Sequence, residues 1–424
     1  MFSGASMRAL RRIVICAAAM AAFLVPAATA DARRGLEVAL QDDGVFVSGR
    51  SPGVERGLQL AQGLNVSWIR VNVGWADAAT FSVARRRRAP RTINWNWFQY
   101  DRLVDQANAL GINVQLAFTG VAPAWATGNR RIGTRTPSAR HFRIFVRDAV
   151  LHFRDRVTRY SIWNEPNHTG WITPRRKAPS IYRALYKTGY KTIKGLDPDA
   201  QVLIGETSPY GDRRAMAPIT FLRRMARGGL RADGYAHHPY DYRHKPNFRY
   251  PGRNNATLGS INNLVRALDQ LHRRRQLRRP DGGKLDLYLT EYGYLRSGRS
   301  RTPESRRSKY LVQAFRIAVR HRRVRQLLQY VLARPPARYR FFDMSLTSAR
   351  GGLTPTYRAL ARWTSSAAAA GLIAVATPPP PPPPPPPPEG QSGSSSSNES
   401  GGSGPPPQGG GEPPPSCAPL PVCP

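Results

Sequence analysis

Cysteine is almost missing from this chain. Its 424 residues hold three, Cys16, Cys417 and Cys423. The long stretch between Cys16 and Cys417 therefore offers neither a thiol nucleophile nor a cysteine-ligated metal. Long hydrophobic runs are missing too, since the apolar run 13–25 is shorter than the ~20 residues a spanning helix requires. Acidic residues are few: 26 Asp and Glu stand against 64 Lys and Arg, a formal charge of +38. Only seven of those cations are Lys, so the positive charge is almost all arginine. Such a surface suits an anionic glycan, a nucleic acid or an anionic cell surface. The arginines are dispersed, however, and no aromatic-interleaved nucleic-acid motif occurs, so nucleic acid is not an expected partner. The densest runs, 85–88 and 273–275, read as solvated loop or helix-end faces. No His and Glu stand at metal-ligand spacing. A metal held by His168, His237 and His238 is not expected, nor is any cofactor.

What is present divides the chain in three. Residues 1–30 read as a secretory signal peptide, with Arg8, Arg11 and Arg12 ahead of the apolar run and Ala28-Thr29-Ala30 as a small-residue cleavage site. Its removal takes three arginines and no acid, leaving +35. Residues 367–424 read as a low-complexity tail, with an unbroken proline run at 378–388 followed by Gly, Ser and more Pro. Such a composition cannot bury a core, so a disordered spacer is expected. Cys417 and Cys423 are candidates for a small disulfide loop there. The mature chain is expected to be secreted, with no membrane span and a cell wall or anionic surface as its neighbour.

Residues 31–366 alternate between short β-branched or apolar runs and longer segments of helical period. Strands are predicted at 36–40, 68–73, 113–118, 158–163, 201–204, 234–237, 286–290 and 326–332. Helices are predicted at 97–110, 139–153, 180–196, 218–227, 261–276, 304–320 and 356–363, with Gly111, Gly195 and Gly229 where helices stop. This is the pattern of an α/β (β/α)8 TIM barrel. A doubly wound open sheet is the rival, but no glycine-rich phosphate loop follows the first strand.

A barrel of this kind does its chemistry at the C-terminal ends of its strands. Strand four ends in Trp163-Asn164-Glu165-Pro166-Asn167, and strand seven in Thr290-Glu291-Tyr292. Strand two supplies Arg70, the end of strand six His238 and Tyr240, and the loop after strand three Trp125. Two carboxylates facing one cleft suit glycosidic cleavage, in which one protonates the leaving oxygen and the other attacks the sugar carbon. Arg70 and Tyr240 are placed to hold Glu291 ionised, Asn164 to grip a sugar 2-hydroxyl, and His238 to bond a sugar hydroxyl or to orient Glu165. His237, beside His238, is an alternative site residue. Glu206, after strand five, is a rival carboxylate that either binds substrate or caps its loop. Trp125 and Trp171 are sugar-stacking rings or loop core.

These residues resemble clan A glycoside hydrolases, close to families 5 and 39. The acid/base Glu after Asn on strand four matches Glu165. The nucleophile closing strand seven matches Glu291, 126 residues on. A His-x-Tyr unit after strand six matches His238-Pro239-Tyr240, an Arg on strand two matches Arg70, and Pro123-Ala124-Trp125-Ala126 is similar to a loop of family 39-like members. The resemblance covers roughly residues 35–365. It implies a retaining glycosidase that hydrolyses O-glycosyl bonds, β-linked, in a poly- or oligosaccharide. The chain departs from family 5 in lacking a Trp after strand eight, where Tyr330 and Phe341 are the possible substitutes. The alternatives are a glycan-binding barrel without turnover, tethered at the cell surface, and a structural cell-surface protein.

Overall fold

The computed structural model describes residues 35–348 and 350–379. The signal-peptide expectation, the proline-rich part of the tail and both remaining cysteines lie outside the described residues. Eight parallel strands follow one another: β1 (Leu36–Gln41), β2 (Trp68–Gly74), β3 (Asn113–Thr119), β4 (Arg159–Ile162), β5 (Gln201–Thr207), β6 (Gly234–His237), β7 (Leu287–Tyr292) and β8 (Val324–Tyr330). Each pairs with the next, and β8 pairs back onto β1 from Glu37 opposite Gln326 to Gln41 opposite Tyr330, which closes the barrel. Helices pack outside the strands: α1 (Val54–Gln62), α2 (Phe98–Ala109), α3 (Ala139–Phe153), α4 (Ala178–Leu196), α5 (Pro218–Met225), α6 (Asn262–Arg273), α7 (Glu304–Arg320) and α8 (Pro355–Ala369). The fold is the (β/α)8 TIM barrel.

The helix limits follow local chemistry. Ser138 caps α3 by accepting from the His141 backbone N–H at 3.4 Å, and Thr354 caps α8 by accepting from Tyr357. Gly111 stops α2 with a φ of 70°, in the left-handed region that favours glycine. One helix, α1, escapes the sequence reading because Gly57 interrupts a short pattern. That glycine is needed for contact, since a Cβ there would come within 2.7 Å of Val45 Cγ1.

The boundary at residue 366 is corrected. The helix continues to Ala369, and Ile373–Ala374 pairs in parallel with Leu36 and Glu37 of β1. The Leu36 N–H donates to Leu372 O at 3.0 Å. Alanine is the best helix former, so the run after Ser366 prolongs α8, and Ala367 and Ile373 bury themselves in the core.

Charge also lies inside the barrel near its N-terminal end. Buried Arg159 of β4 reaches across to Glu37 of β1 with two bonds of 2.7 and 2.9 Å. Its guanidinium lies 3.5 Å from the ring centroid of Trp68 and 4.6 Å from that of Tyr288. The opposite end, where the strands finish, holds the candidate site.

Candidate active site

Strand four supplies its two polar residues by leaving regular geometry at its tip. Trp163 and Glu165 take φ values of 69° and 33°, and Glu206, at the end of β5, takes 47°. Left-handed backbone in bulky residues costs about 1–3 kcal/mol each and persists only where the surroundings hold it. Here they do. Trp163 donates from Nε1 to Trp171 O at 3.2 Å. Asn167 Nδ2 donates to Ser208 Oγ and to Met216 O at 2.9 and 2.8 Å, tying the loop after β4 to the loop after β5.

Arg70, rising from β2, is fully buried and bonded on several sides. Nη1 donates to Glu291 Oε1 at 3.1 Å and to Gln41 Oε1, and Nη2 donates to Asn164 Oδ1 at 2.8 Å. The same Nη2 lies 3.3 Å from Glu206 Oε2. His238 is the second hub. Its Nε2 stands 2.9 Å from Glu206 Oε2, and its Nδ1 stands 3.1 Å from Glu165 Oε1 and 3.5 Å from Glu291 Oε2. Tyr240 donates its hydroxyl to Glu291 Oε2 at 3.0 Å. Four strands thus bring together Arg70, Asn164, Glu165, His238, Tyr240 and Glu291.

The three carboxylates differ in access. The side chains of Glu165 and Glu291 keep 13% and 9% exposure, whereas Glu206 keeps none. Glu206 therefore neither touches substrate nor caps a loop. It sits beneath the site and accepts from Thr290 Oγ1 at 2.5 Å and from Gln115 Nε2 at 3.3 Å. No local sequence pattern signals that depth.

Electrostatics follow from the geometry. Burial pushes the Glu206 carboxyl up, but the charge of Arg70 and the bonds from His238 and Thr290 outweigh it and hold the pKa at about 2. Burial would strip the proton from His238, yet the charge of Glu291 and the bonds to Glu165 and Glu206 push its pKa up to about 9. At neutral pH His238 is an imidazolium whose two N–H groups both face carboxylate oxygens. For Glu291 burial dominates and raises the pKa, with His238 and Arg70 pulling against it and Glu165 and Glu206 adding to the rise. Arg70 does favour the ionised form of Glu291, as its placement on β2 leads one to expect, but burial is the larger effect and the net direction is upward. His237 is not a site residue. It is sealed in the core, 2.6 Å from Ala256 O, and burial lowers its pKa to about 3.

The aromatic expectations change most. Trp125 is 6% exposed and stands edge-on to Trp75 at 5.7 Å and to His141 at 5.4 Å. A ring that stacks on a sugar needs an open face, and this one is enclosed, so Trp125 belongs to the loop core. Trp171 is buried likewise. At the end of β8, Tyr330 packs against Phe342 with centroids 5.5 Å apart, while Phe341, beyond the strand, is 51% exposed. Among the described residues no group of three or more His, Cys, Asp or Glu could hold a metal ion.

No protein-family model matches the chain, and a search of curated proteins finds no match. Solved structures do match. A family 39 glycoside hydrolase from the gut symbiont Bacteroides cellulosilyticus superposes with a TM-score of 0.62 at 20% identity, over 78% of this chain and 64% of that one. Its fold is that of family 39 and related clan A glycoside hydrolases. A monomeric β-xylosidase from Caulobacter crescentus matches with a TM-score of 0.52 at 18% identity, over 77% of this chain and 67% of that chain. An exo-β-1,4-mannosidase from an Opitutaceae bacterium matches with a TM-score of 0.55 at 14% identity, over 80% and 60%. This chain covers 60–67% of the length of these three proteins.

Proposed function

We propose that the chain is an exported retaining glycoside hydrolase that cleaves β-linked O-glycosidic bonds of an oligo- or polysaccharide. The observation that carries this reading is the pair of solvent-reaching carboxylates, Glu165 and Glu291, sharing the single nitrogen His238 Nδ1 at 3.1 and 3.5 Å. Their nearest oxygens lie no farther apart than the sum of those distances. Retaining enzymes hold their carboxyl groups about 5–5.5 Å apart, whereas inverting enzymes leave room for a water between them.

In this reading Glu165 protonates the glycosidic oxygen while Glu291 attacks the anomeric carbon. The carbon–oxygen bond to the leaving group breaks as a glycosyl-enzyme ester forms. Water, deprotonated by the now ionised Glu165, then opens the ester and releases the sugar with retained configuration. Tyr240 and Arg70 fix both oxygens of Glu291, one each, and so aim it. Asn164 uses its amide oxygen on Arg70, which leaves its amide N–H groups for a sugar hydroxyl.

The test is turnover of aryl β-glycosides by the secreted protein beside Glu291→Gln. Hydrolysis by the parent alone, with transglycosylation products of retained configuration, is expected. Glycan binding that survives the substitution, without turnover by the parent on the panel, would replace the enzyme by a barrel that only binds.

A further inference from the structure

The loops on the catalytic face carry an unusual charge balance. The eight segments that follow the strands there, 42–53, 75–97, 120–138, 163–177, 208–217, 238–261, 293–303 and 331–354, contain 25 Arg and Lys against seven Asp and Glu. The segments at the opposite end, which join the helices to the next strands, contain eleven against six. Among the described residues only Arg50 and Arg334 of the catalytic-face cations pair with a carboxylate. The acids of the helices and the far end, by contrast, are mostly spoken for: Arg156 holds Asp101 and Asp105, Arg323 holds Asp269 and Asp286, and Lys194 holds Asp233.

Two grooves beside this field, walled partly by α5 and α6, have arginines in their walls, with Asp212 the one acid among their lining residues. One lies between the loop that carries Glu165 and the loop after β5, with Arg175, Arg176 and Arg224 among its lining residues. The other lies on the far side of α5, with Arg223, Arg253 and Arg266. Arg223 and Arg224 are neighbours on α5 and line one groove each, so the two grooves flank a single helix and together make an arginine track that includes Arg175 and Arg176 of the loop carrying Glu165. All six arginines are exposed. Those with partners are anchored by neutral acceptors. Arg175 Nη1 donates to Asp212 O at 2.9 Å, and Arg223 donates to Asn254 Oδ1 and Gln270 Oε1, each at 3.2 Å. A guanidinium oriented by neutral groups keeps its full charge and its remaining N–H donors for an anion.

We infer that this arginine track binds a polyanionic polysaccharide, the extended leaving-group side of the substrate. The inference rests on the glycosidase reading for that last clause. A glycan is favoured over other polyanions by position, because the track starts at the loop of the residue that protonates the leaving oxygen. The ligand chemistry is a repeated carboxylate or sulfate spaced along a sugar chain.

The experiment is a binding titration on the full chain with fluorescein-labelled oligogalacturonate and dextran sulfate, beside neutral dextran and a single-stranded DNA of equal charge. Both anionic glycans are expected to bind and dextran not, and their relative affinities tell carboxylate from sulfate. Binding should weaken by roughly tenfold or more between low and high salt, as screening requires. The triple variant Arg223→Gln, Arg224→Gln, Arg253→Gln should weaken it by about tenfold, while Arg274→Gln, Arg275→Gln, Arg278→Gln at the far end, which removes the same charge, should change it less than about twofold. Equal loss in the two variants, or failure of both anionic glycans to bind, overturns the track. DNA held more tightly than either glycan through the same three arginines overturns the glycan as occupant. Binding is measured again with Glu291→Gln, where it should persist. Track binding without turnover of aryl glycosides would remove the glycosidase reading alone, and turnover without track binding would remove this inference alone.

Discussion

Glu206 lies wholly out of solvent beneath the candidate site, and its Oε2 sits 2.9 Å from His238 Nε2. With Glu291 and Glu165, this buried carboxylate helps keep His238 a cation between the two carboxylates that reach solvent. Glu206→Gln preserves the shape but removes the charge and sets an amide donor against an N–H. Turnover is expected to fall about tenfold to a hundredfold, the range for groups that orient a reacting side chain. With that anion gone the His238 pKa drops from about 9, so the alkaline limb of the kcat/KM profile should move toward neutrality. A loss of rate with an unmoved limb would mean that Glu206 serves the fold alone.

The two exposed carboxylates should separate by leaving group. Glu165→Gln should lower kcat/KM by about 10²–10⁴-fold for substrates with alkyl leaving groups and far less for nitrophenyl glycosides, because nitrophenolate departs without a proton, while kcat falls for both because the same residue activates the water of the second step. Glu291→Gln should abolish both classes of reaction. Equal effects of Glu165→Gln on kcat/KM for both leaving groups would argue against its role as the acid.

The same cluster predicts a pH window for stability. Glu206 is held at about 2, below its ordinary 4.5, so its contribution is present above about pH 4.5 and lost as pH falls through 2. His238 is raised to about 9 from 6.5, so its contribution is full below about pH 6.5 and lost as pH rises through 9. Thermal melts should therefore show the combined contribution of Glu206 and His238 at its fullest between about pH 4.5 and 6.5, with the raised Glu291 carboxyl working against it as pH rises above 4.5. Glu206→Gln and His238→Gln should flatten the acid and alkaline declines respectively.

At the other end of the barrel, Arg159→Met would leave Glu37 without its bidentate partner. Breaking a buried pair costs about 3–5 kcal/mol, and this one belongs at the lower end because Glu37 retains 20% side-chain exposure. Urea denaturation measures the loss. Activity well below the melting point should be unchanged, since Arg159 lies far from the carboxylates along β4.

Ending the chain at residue 366 should also cost stability, because it removes buried Ala367 and the strand Ile373–Ala374. Ending it at 379 should not. Melting curves of the two truncations decide whether the short strand holds β1 in place.

Much of this was legible in the sequence because a barrel sends its polar groups to one rim. Asn164-Glu165 and Glu291 stand at strand ends, and the regular alternation of runs reveals where those ends are. Burial was harder to read. Glu206 looks like one more rim carboxylate until Thr290, Gln115, Arg70 and His238 are seen closing over it. Trp125 looks like a sugar platform until it is seen enclosed in the loop core, packed at near right angles to Trp75 and His141. His237 and His238 are adjacent in the chain, and only the alternation of side chains at the end of β6 decides which turns to the core. Helix α1 and the segment after 366 were missed because one glycine and one alanine run hide periodicity.

The pairing of Ile373–Ala374 with the first residues of β1 has a practical corollary. Leu36 and the last described residues leave the fold side by side, and a Cβ on Gly111, in the turn before β3, would meet Thr377. Both exits are at the end of the barrel away from Glu165 and Glu291. Anything attached directly at Leu36 or just beyond Thr377, whether a bead, a fusion partner or a wall polymer, therefore grips the molecule from behind and leaves its mouth pointing outward.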